Sequence, residues 1–580
     1  MKFSVQRNFL KVAGVAMLVT GCGGGGGGAD DNSSTGSPPP ATGASGKTVF
    51  VTGAIAGFGS VIVNGVRYDT DNAQVKIEDR VGAVSELRVG EVIRLVAEVD
   101  SQGVPRAKTI SQDHLIQGVV QAVDVAAGTL TIAGQVISVD NETSFDDSIP
   151  LRSLAGIAVG DRIEVHGFAS AGGMARATRI EKAGPGDTEV EVTGNVTGAN
   201  ATTRRFNVGD LVVDYSAAVL EGFGAARPVD GDLVEVKGTA YMADGALRAT
   251  KVEKEDDDFD GRSGDESEVE GLVTRFASSS DFDVAGQRVT TTSATGYVNG
   301  TAADLKVDAK VEVEGKLDSN GTVVAAKVAF KRSSPVRLSA RVDEVNAEAG
   351  TLRALGVTVA VSAATRKEDH EGDDFYFGLD DVHVGDWVEV AGYADPAGTG
   401  KLIATRLERD EPEDKVELRG PASDVQAASL RVFAVLVDLL PGAEFEDNDV
   451  SISASDFVAR APGRIVEVEG SWTGSSLAAD QAEIESGDGG TSVPPVVQPP
   501  PVTPPPPVTP PPPAIDGAAL YDANCKGCHG SISGIFSANA KSATKIQDAI
   551  NANKGGMGSL STLTSAEVQA IAAAVAAANP

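Results

Sequence analysis

The sequence predicts a multidomain chain: six small all-β barrels in tandem, then a small all-α module. Two observations carry this. A turn-and-strand marker recurs six times between residues 47 and 486, and beyond a proline-rich break the pattern becomes helical. Composition agrees. Aromatic residues make up only 5% of the chain while glycine reaches 67 residues, which fits small, turn-rich β units better than one large enzyme core. A chain of 580 residues is also too long for a single core.

Residues 1–21 read as a targeting segment. Lys2, Arg7 and Lys11 give a positive start, and Val12 to Val19 form an apolar run too short to span a bilayer. The run ends in Val19-Thr20-Gly21-Cys22, which resembles the lipobox of bacterial lipoproteins. The resemblance implies cleavage before Cys22 and lipidation of its thiol and new amino terminus, a firm anchor. Gly23, not Asp, follows Cys22; in that family this favours the outer membrane, on its periplasmic or surface face, over the inner one. Residues 22–46 form a Gly-, Ser- and Pro-rich spacer that cannot bury a core. With 49 Lys and Arg against 82 Asp and Glu the formal charge is −33. Such a chain repels nucleic acid and anionic lipid surfaces, so no nucleic-acid partner is expected and the membrane is held by lipid alone.

The marker reads Val159-Gly160-Asp161-Arg162-Ile163-Glu164-Val165 and returns as Asp230-Gly231-Asp232-Leu233-Val234-Glu235-Val236 and Val384-Gly385-Asp386-Trp387-Val388-Glu389-Val390. Looser forms start at Val89, Asp308 and Pro462, and successive copies lie 70 to 78 residues apart. A period above about 50 residues is a domain-sized unit, not a solenoid rung. The copies occupy 47–115, 116–186, 187–262, 263–333, 334–412 and 413–486. Each opens on a strand with a glycine (Gly53, Gly118, Gly194, Gly271 and Gly420), except that the fifth has Ala340 there. A hairpin follows, as at Asn64-Gly65. In Val-Glu-Val the valines face one way and the glutamate the other, which predicts one buried and one wet sheet face. Five or six short strands per copy predict a closed or nearly closed barrel, with the glycines where strands bend hardest. The copies resemble a family of bacterial tandem repeats of unknown function found in lipoproteins and thought to be OB-like barrels. The first copy departs from it at Ile93-Arg94-Leu95 and the sixth at Phe433-Ala434-Val435. The resemblance implies no activity, and the barrels read as a stalk.

Residues 487–513 are a polyproline II tether, on the order of 60–70 Å long at about 3.1 Å per residue. Residues 514–580 carry the chemistry. Cys525-Lys526-Gly527-Cys528-His529 is a C-x-x-C-H run, which reads as the attachment site of one covalent haem c: two thiols for the vinyl groups, and His529 placed to bind iron. A thioredoxin-like pair needs a βαβ context. A zinc site needs four ligands, and the module has no other Cys or His. Asp516 to Tyr521 predicts a short helix ahead of the motif. Thr564-Ser565-Ala566-Glu567 is a capping box opening a helix to about Ala578, with Val568, Ile571 and Val575 on one stripe. This order resembles a short class I cytochrome c. The family places a methionine on the iron from a loop before the last helix; Met557, in Lys554-Gly555-Gly556-Met557-Gly558, is the module's only Met. His529/Met557 ligation implies a raised potential and no open iron position, hence electron transfer, not catalysis. Lysines and carboxylates balance in this module, so the −33 lies in the barrels.

Two weaker signals remain. Asp256-Asp257-Asp258-Phe259-Asp260-Gly261 matches half a calcium loop, but position 12 is Ser267 where Glu is required; an acidic linker is the preferred reading. His114, His166, His370 and His383 are scattered through the barrels, and a metal site at His370 and His383 is weighed against a solvated acidic loop, which is preferred. The reading is therefore a membrane-anchored, extracytoplasmic c-type cytochrome lipoprotein that carries single electrons to and from partner proteins the sequence does not name. Two alternatives stay open: a binding or scaffold protein whose barrels engage a ligand while the haem serves a neighbouring oxidoreductase, and a haem peroxidase, which requires Met557 off the iron.

Overall fold

A computed structural model of the chain describes residues 47–78, 80–170, 174–255, 261–372, 374–448, 450–485, 516–534 and 538–579. Cys22, the 487–513 tether and Asp256–Asp260 lie outside the described residues. The chain divides into two units, residues 1–494 and 495–580. No described helix is long and apolar enough to cross a membrane.

The first unit is built from three small barrel-like sheets of 13, 12 and 11 strands. Each draws on two sequence repeats: the first with the fourth, the second with the third, and the fifth with the sixth. The second repeat shows the pairing. Ile116–Asp124 pairs with Thr129–Ile132, which pairs with Gln135–Ser138, which runs parallel to Met174–Lys182. The marker strand Arg162–Ala169 then pairs with both Met174–Lys182 and Ile116–Asp124 and completes the cycle. The same cycle recurs in the fifth repeat, through Val336–Asn346, Thr351–Ala354, Val357–Ala360, Leu402–Asp410 and Trp387–Ala394. In the first it depends on a single bridge from Asp69 to Arg106. The sixth holds an α-helix, Ala454–Arg460, where the first, fourth and fifth have one 3₁₀ turn before the marker and the second has two. Its sequence gave no warning beyond the Ser453 cap, which accepts from the Asp456 amide.

The opening strand bends because it serves both the hairpin and the marker strand. At the bend an added Cβ would meet hairpin atoms at 2.3 Å from Gly53, 2.9 Å from Gly118, 2.6 Å from Gly194 and 2.7 Å from Gly271, which explains those glycines. The sequence reading missed a second set. Two residues beyond each Val-x-Val, in all but the first repeat, stands Gly167, Gly238, Gly315, Gly392 or Gly470, and the ladder shifts register there. A Cβ on Gly392 would lie 2.2 Å from the carbonyl oxygen of Ile403. Gly392→Ala is therefore expected to destabilise the first unit by about 1–3 kcal/mol, read as a lower denaturation midpoint. Gly184→Ala, with nothing within 4 Å of its added Cβ, serves as the unaffected control.

The inner faces pack as the alternation predicts: Ile163, Val165, Val234, Val236, Val388 and Val390 are all fully buried. The outer faces do not stay wet. Glu235 and Glu312 are buried, because opening strands of different repeats pair across the seam: Glu191 opposite Gln117, Leu338 opposite Leu418, and, in parallel, Val49 opposite Glu266. Basic side chains fill these seams. Arg337 Nη2 lies 2.9 Å from Glu467 Oε2, and the same guanidinium also pairs with Glu389 and Glu417. Contacts also cross between repeats distant in sequence. Phe58 stacks on Phe375 with centroids 4.1 Å apart, Asn141 Nδ2 donates to the Ser334 carbonyl at 2.8 Å, and Lys310 Nζ donates to Glu142 at 3.0 Å. The repeats are thus interlocked by polar seams.

The second unit has helices Gly517–Asn524, Lys526–His529, Ala543–Asn551 and Ser565–Ala578. The Asp516 carboxylate caps the first, accepting from the amides of Ala518 and Ala519 at 3.0 Å. The capping box forms as expected: the Glu567 amide donates to Thr564 Oγ1 at 3.3 Å, and the Thr564 amide to Glu567 Oε2 at 2.7 Å. Val568, Ile571 and Val575 are buried. Gly517 lets the first helix meet the last, since a Cβ there would lie 2.0 Å from the Ala570 carbonyl oxygen.

Candidate functional site

Cys525 closes the first helix and starts the next. Its amide donates to the Tyr521 carbonyl at 2.8 Å, and the His529 amide donates to the Cys525 carbonyl at 2.9 Å. Cys525 and Cys528 therefore stand one turn apart on one helical surface, with His529 directly after. Both thiols are free. Cys525 is buried, whereas Cys528 and His529 are exposed. Burial, and secondarily the neighbouring Cys528, push the Cys525 thiol up, so it stays protonated at neutral pH. Gly530 ends the turn with φ 76°, and its carbonyl accepts from the Tyr521 hydroxyl at 3.1 Å. Asn579 ties the following loop to the last helix, its Nδ2 donating to the carbonyls of Ile532 at 2.6 Å and Val575 at 2.9 Å. Sequence reasoning missed both anchors, because a single Tyr or Asn carries no pattern.

Met557 sits half-buried in the 3₁₀ segment Lys554–Leu560. The two glycines before it have φ 60° and 89°, a region where a Cβ is strained. The Asn553 side chain pins the loop by accepting from the Gly558 amide at 2.8 Å.

The residues fit a covalent haem. Among the described residues the buried apolar cluster around the haem motif is Tyr521, Cys525, Ile571 and Val575, and Leu520, Ile532, Ala540, Ile546, Leu560 and Leu563 against it remain part-exposed. This is a thin core for its length. The two free thiols, the imidazole and the lone thioether are the donor types that c-type haem uses.

Comparison with known proteins agrees in part. Four stretches, residues 117–181, 193–253, 270–329 and 339–408, match a domain of unknown function, DUF5666. They fall in the second to fifth repeats; the first and sixth, where the pattern departs, are not matched. Residues 512–573 match the family described as cytochrome c oxidase, cbb3-type, subunit III. The chain thus carries four DUF5666 repeats and a C-terminal cbb3-type cytochrome c domain, and that domain type implies haem c and an electron-carrier role. No curated protein matches. Among solved structures, one described as drosophila Unr CSD456 is similar over 36% of this chain and 97% of its own, at 14% identity and a TM-score of 0.13, a level that carries no argument.

In the first unit, His114 lies among carboxylates, with Nδ1 2.8 Å from Glu78 and Nε2 3.4 Å from Glu164. Burial pulls its pKa down, but Glu164, Glu191 and Glu78 together outweigh burial and hold it well above 6.5. Burial likewise raises Glu268 and Glu417 to about 8. In each case the folded chain binds the proton more tightly than the unfolded one. The His114 contribution is complete below pH 6.5 and fades above it, and the glutamate contributions are lost up to about pH 8. The denaturation midpoint of this unit is expected to fall between pH 6.5 and 8, with a smaller slope in His114→Gln.

Proposed function

We propose that the protein is an extracytoplasmic lipoprotein, anchored through Cys22, whose last domain holds one haem c and passes single electrons between partner proteins. The observation that carries this is the Cys525/Cys528/His529 turn, with free thiols beside a small, partly exposed apolar cluster, in a segment that matches a cytochrome c family. Haem c, when bound, supplies a one-electron ferrous/ferric couple. Cys525 and Cys528 would hold it, His529 and Met557 would take the two axial positions, and Leu520, Leu560 and Leu563 would exclude water from its faces. The Gly555-Gly556 backbone would give Met557 its approach, and a haem iron held by both His529 and Met557 would have no position left for a substrate. The repeats would stand as six barrel domains between the anchor and the proline tether.

The test is a visible spectrum of the purified chain, oxidised and reduced, made in cells with c-type maturation, beside a Met557→Ala variant. A reduced α band of c type, with a far-red charge-transfer band that the variant lacks, supports the reading. Haem without that band leaves Met557 off the iron and favours peroxidase chemistry; absence of haem sinks the proposal. For the anchor, Cys22→Ser is expected to move the protein from the membrane to the soluble fraction, and unchanged fractionation would refute lipidation at Cys22.

A further inference from the structure

The solvated acidic loop preferred for His370 on sequence grounds is not what forms; the imidazole side chain is 3% exposed. The strands Arg366–Asp369 and Leu402–Asp410 run in parallel with Glu368 opposite Glu408. Two carboxylates at one register position repel each other. His370 stands two residues beyond Glu368, and the three residues bring one ligand atom each within 4.8 Å of one another.

Each group is tied on one side only. Glu368 Oε1 accepts from Arg179 Nη1 at 2.9 Å. Glu408 Oε2 lies 2.5 Å from Arg406 Nη1. His370 Nδ1 meets Asp147 Oδ1 at 2.9 Å. A carboxylate accepts only, so Nδ1 carries a proton, and in the neutral imidazole Nε2 then presents a lone pair. The atoms left over, Glu368 Oε2, Glu408 Oε1 and His370 Nε2, are buried and have no hydrogen-bond partner. These buried acceptors belong to three residues that bring ligand atoms within 4.8 Å of one another, and with a neutral imidazole none of the three supplies a donor to the others, an arrangement that costs free energy unless a cation or a proton satisfies it.

Two similar clusters already hold a donor, although in the first His114 Nδ1 and Glu191 Oε1 also lack a hydrogen-bond partner. At Glu78, His114 and Glu191 the Lys237 ammonium takes the central role, 2.5 Å from Glu78 and 3.5 Å from Glu191. At Glu91, His166 and Glu181 both ring nitrogens of His166 are engaged, by Gln112 at 3.3 Å and Glu181 at 3.0 Å.

We propose that Glu368, His370 and Glu408 bind a divalent cation of the zinc or manganese class, with Asp147 orienting the histidine from behind. One imidazole and two carboxylates suit these ions, whereas calcium takes six to eight oxygens. The pairing of His370 Nδ1 with an outer carboxylate is the usual support of a metal-bound histidine. The three ligand atoms lie within 4.8 Å of one another, with His370 Nε2 4.0 Å from Glu408 Oε2, the oxygen beside Arg406, and bonds of about 2.1 Å require ligand atoms roughly 3.4 Å apart, so binding would draw the three side chains together. Arg179, Arg406 and Arg152 offset part of the charge of Glu368, Glu408, Asp147 and Asp410, and leave room for a cation. Asp147 and Arg179 come from the second repeat and the ligands from the fifth, so the ion clips two repeats together.

The test uses the full chain as purified, stripped with a chelator, with Zn²⁺ alone and Mn²⁺ alone as probes. Calorimetric titration is expected to give one equivalent of one of these ions per chain, with a raised thermal midpoint for the first unit. The same stoichiometry in a Cys525→Ser/Cys528→Ser background separates this site from the C-terminal thiols. His370→Asn and Glu408→Gln are expected to weaken binding at least tenfold, and Asp147→Asn about 10–100-fold. Glu408→Gln keeps the side-chain shape, so it decides the matter where His370→Asn folds poorly. No binding of either ion by the parent chain, or binding by a folded Glu408→Gln variant equal to the parent's, would overturn the proposal.

Discussion

A Cys525→Ser/Cys528→Ser chain is expected to lose all covalently held haem and to become protease-sensitive throughout residues 516–579. Two physical facts set the size of this effect. The apolar cluster around the motif holds four buried residues, and five larger apolar side chains packed against it remain part-exposed. A domain of this length buries too little surface to be secure alone and needs a staple. Covalent haem would supply both further apolar contact and a link between the first helix and the helical turn Lys526–His529. The measurement is haem staining of a denaturing gel together with limited proteolysis. Retained stain would show that the thiols are not the attachment points. Parent-like protease resistance with the stain lost would show that the helices stand without the cofactor.

The second large effect is expected at Glu142. Its side chain is 6% exposed and accepts from Lys310 Nζ at 3.0 Å, Arg176 Nη2 at 3.1 Å and Ser334 Oγ at 3.0 Å. Arg366 lies 3.8 Å away. One carboxylate thus joins the second, fourth and fifth repeats. Burial alone would raise its pKa, but Lys310, Arg176 and Arg366 outweigh burial and hold it well below the usual carboxylate range. Removing one partner of a buried ionic cluster strands the others, at a cost of about 3–5 kcal/mol. Glu142→Ala is expected to destabilise the first unit by that much at neutral pH, read as a lower denaturation midpoint. A depressed pKa stabilises above the unfolded value near 4.5 and is lost as pH falls through the folded value, so the gap between parent and variant should narrow on acidification. A midpoint unchanged at pH 7, or a gap that widens in acid, would contradict this account.

Much of the molecule was legible locally. The marker turns at Gly160, Gly231 and Gly385, the Val-Glu-Val alternation, the Thr564–Glu567 cap and the stripe of Val568, Ile571 and Val575 depend on neighbours a few residues away, and they formed as read. The C-x-x-C-H run belongs with these, since its spacing falls within one helical turn, Lys526–His529. The Gly392 class was missed because its constraint is a carbonyl on the adjacent strand.

What the amino-acid sequence determined by itself was the repeat, its strands and the motif of the last domain, all short-range patterns of burial and covalent spacing. Tertiary structure alone decided which repeats share a sheet. It brought Val49 beside Glu266, turned the glutamate faces into seams, and set His370 against Asp147, 223 residues away in the chain. The physical reason is that a buried charge is tolerated only beside its partner, and a partner contributed by another repeat leaves no trace in the local period.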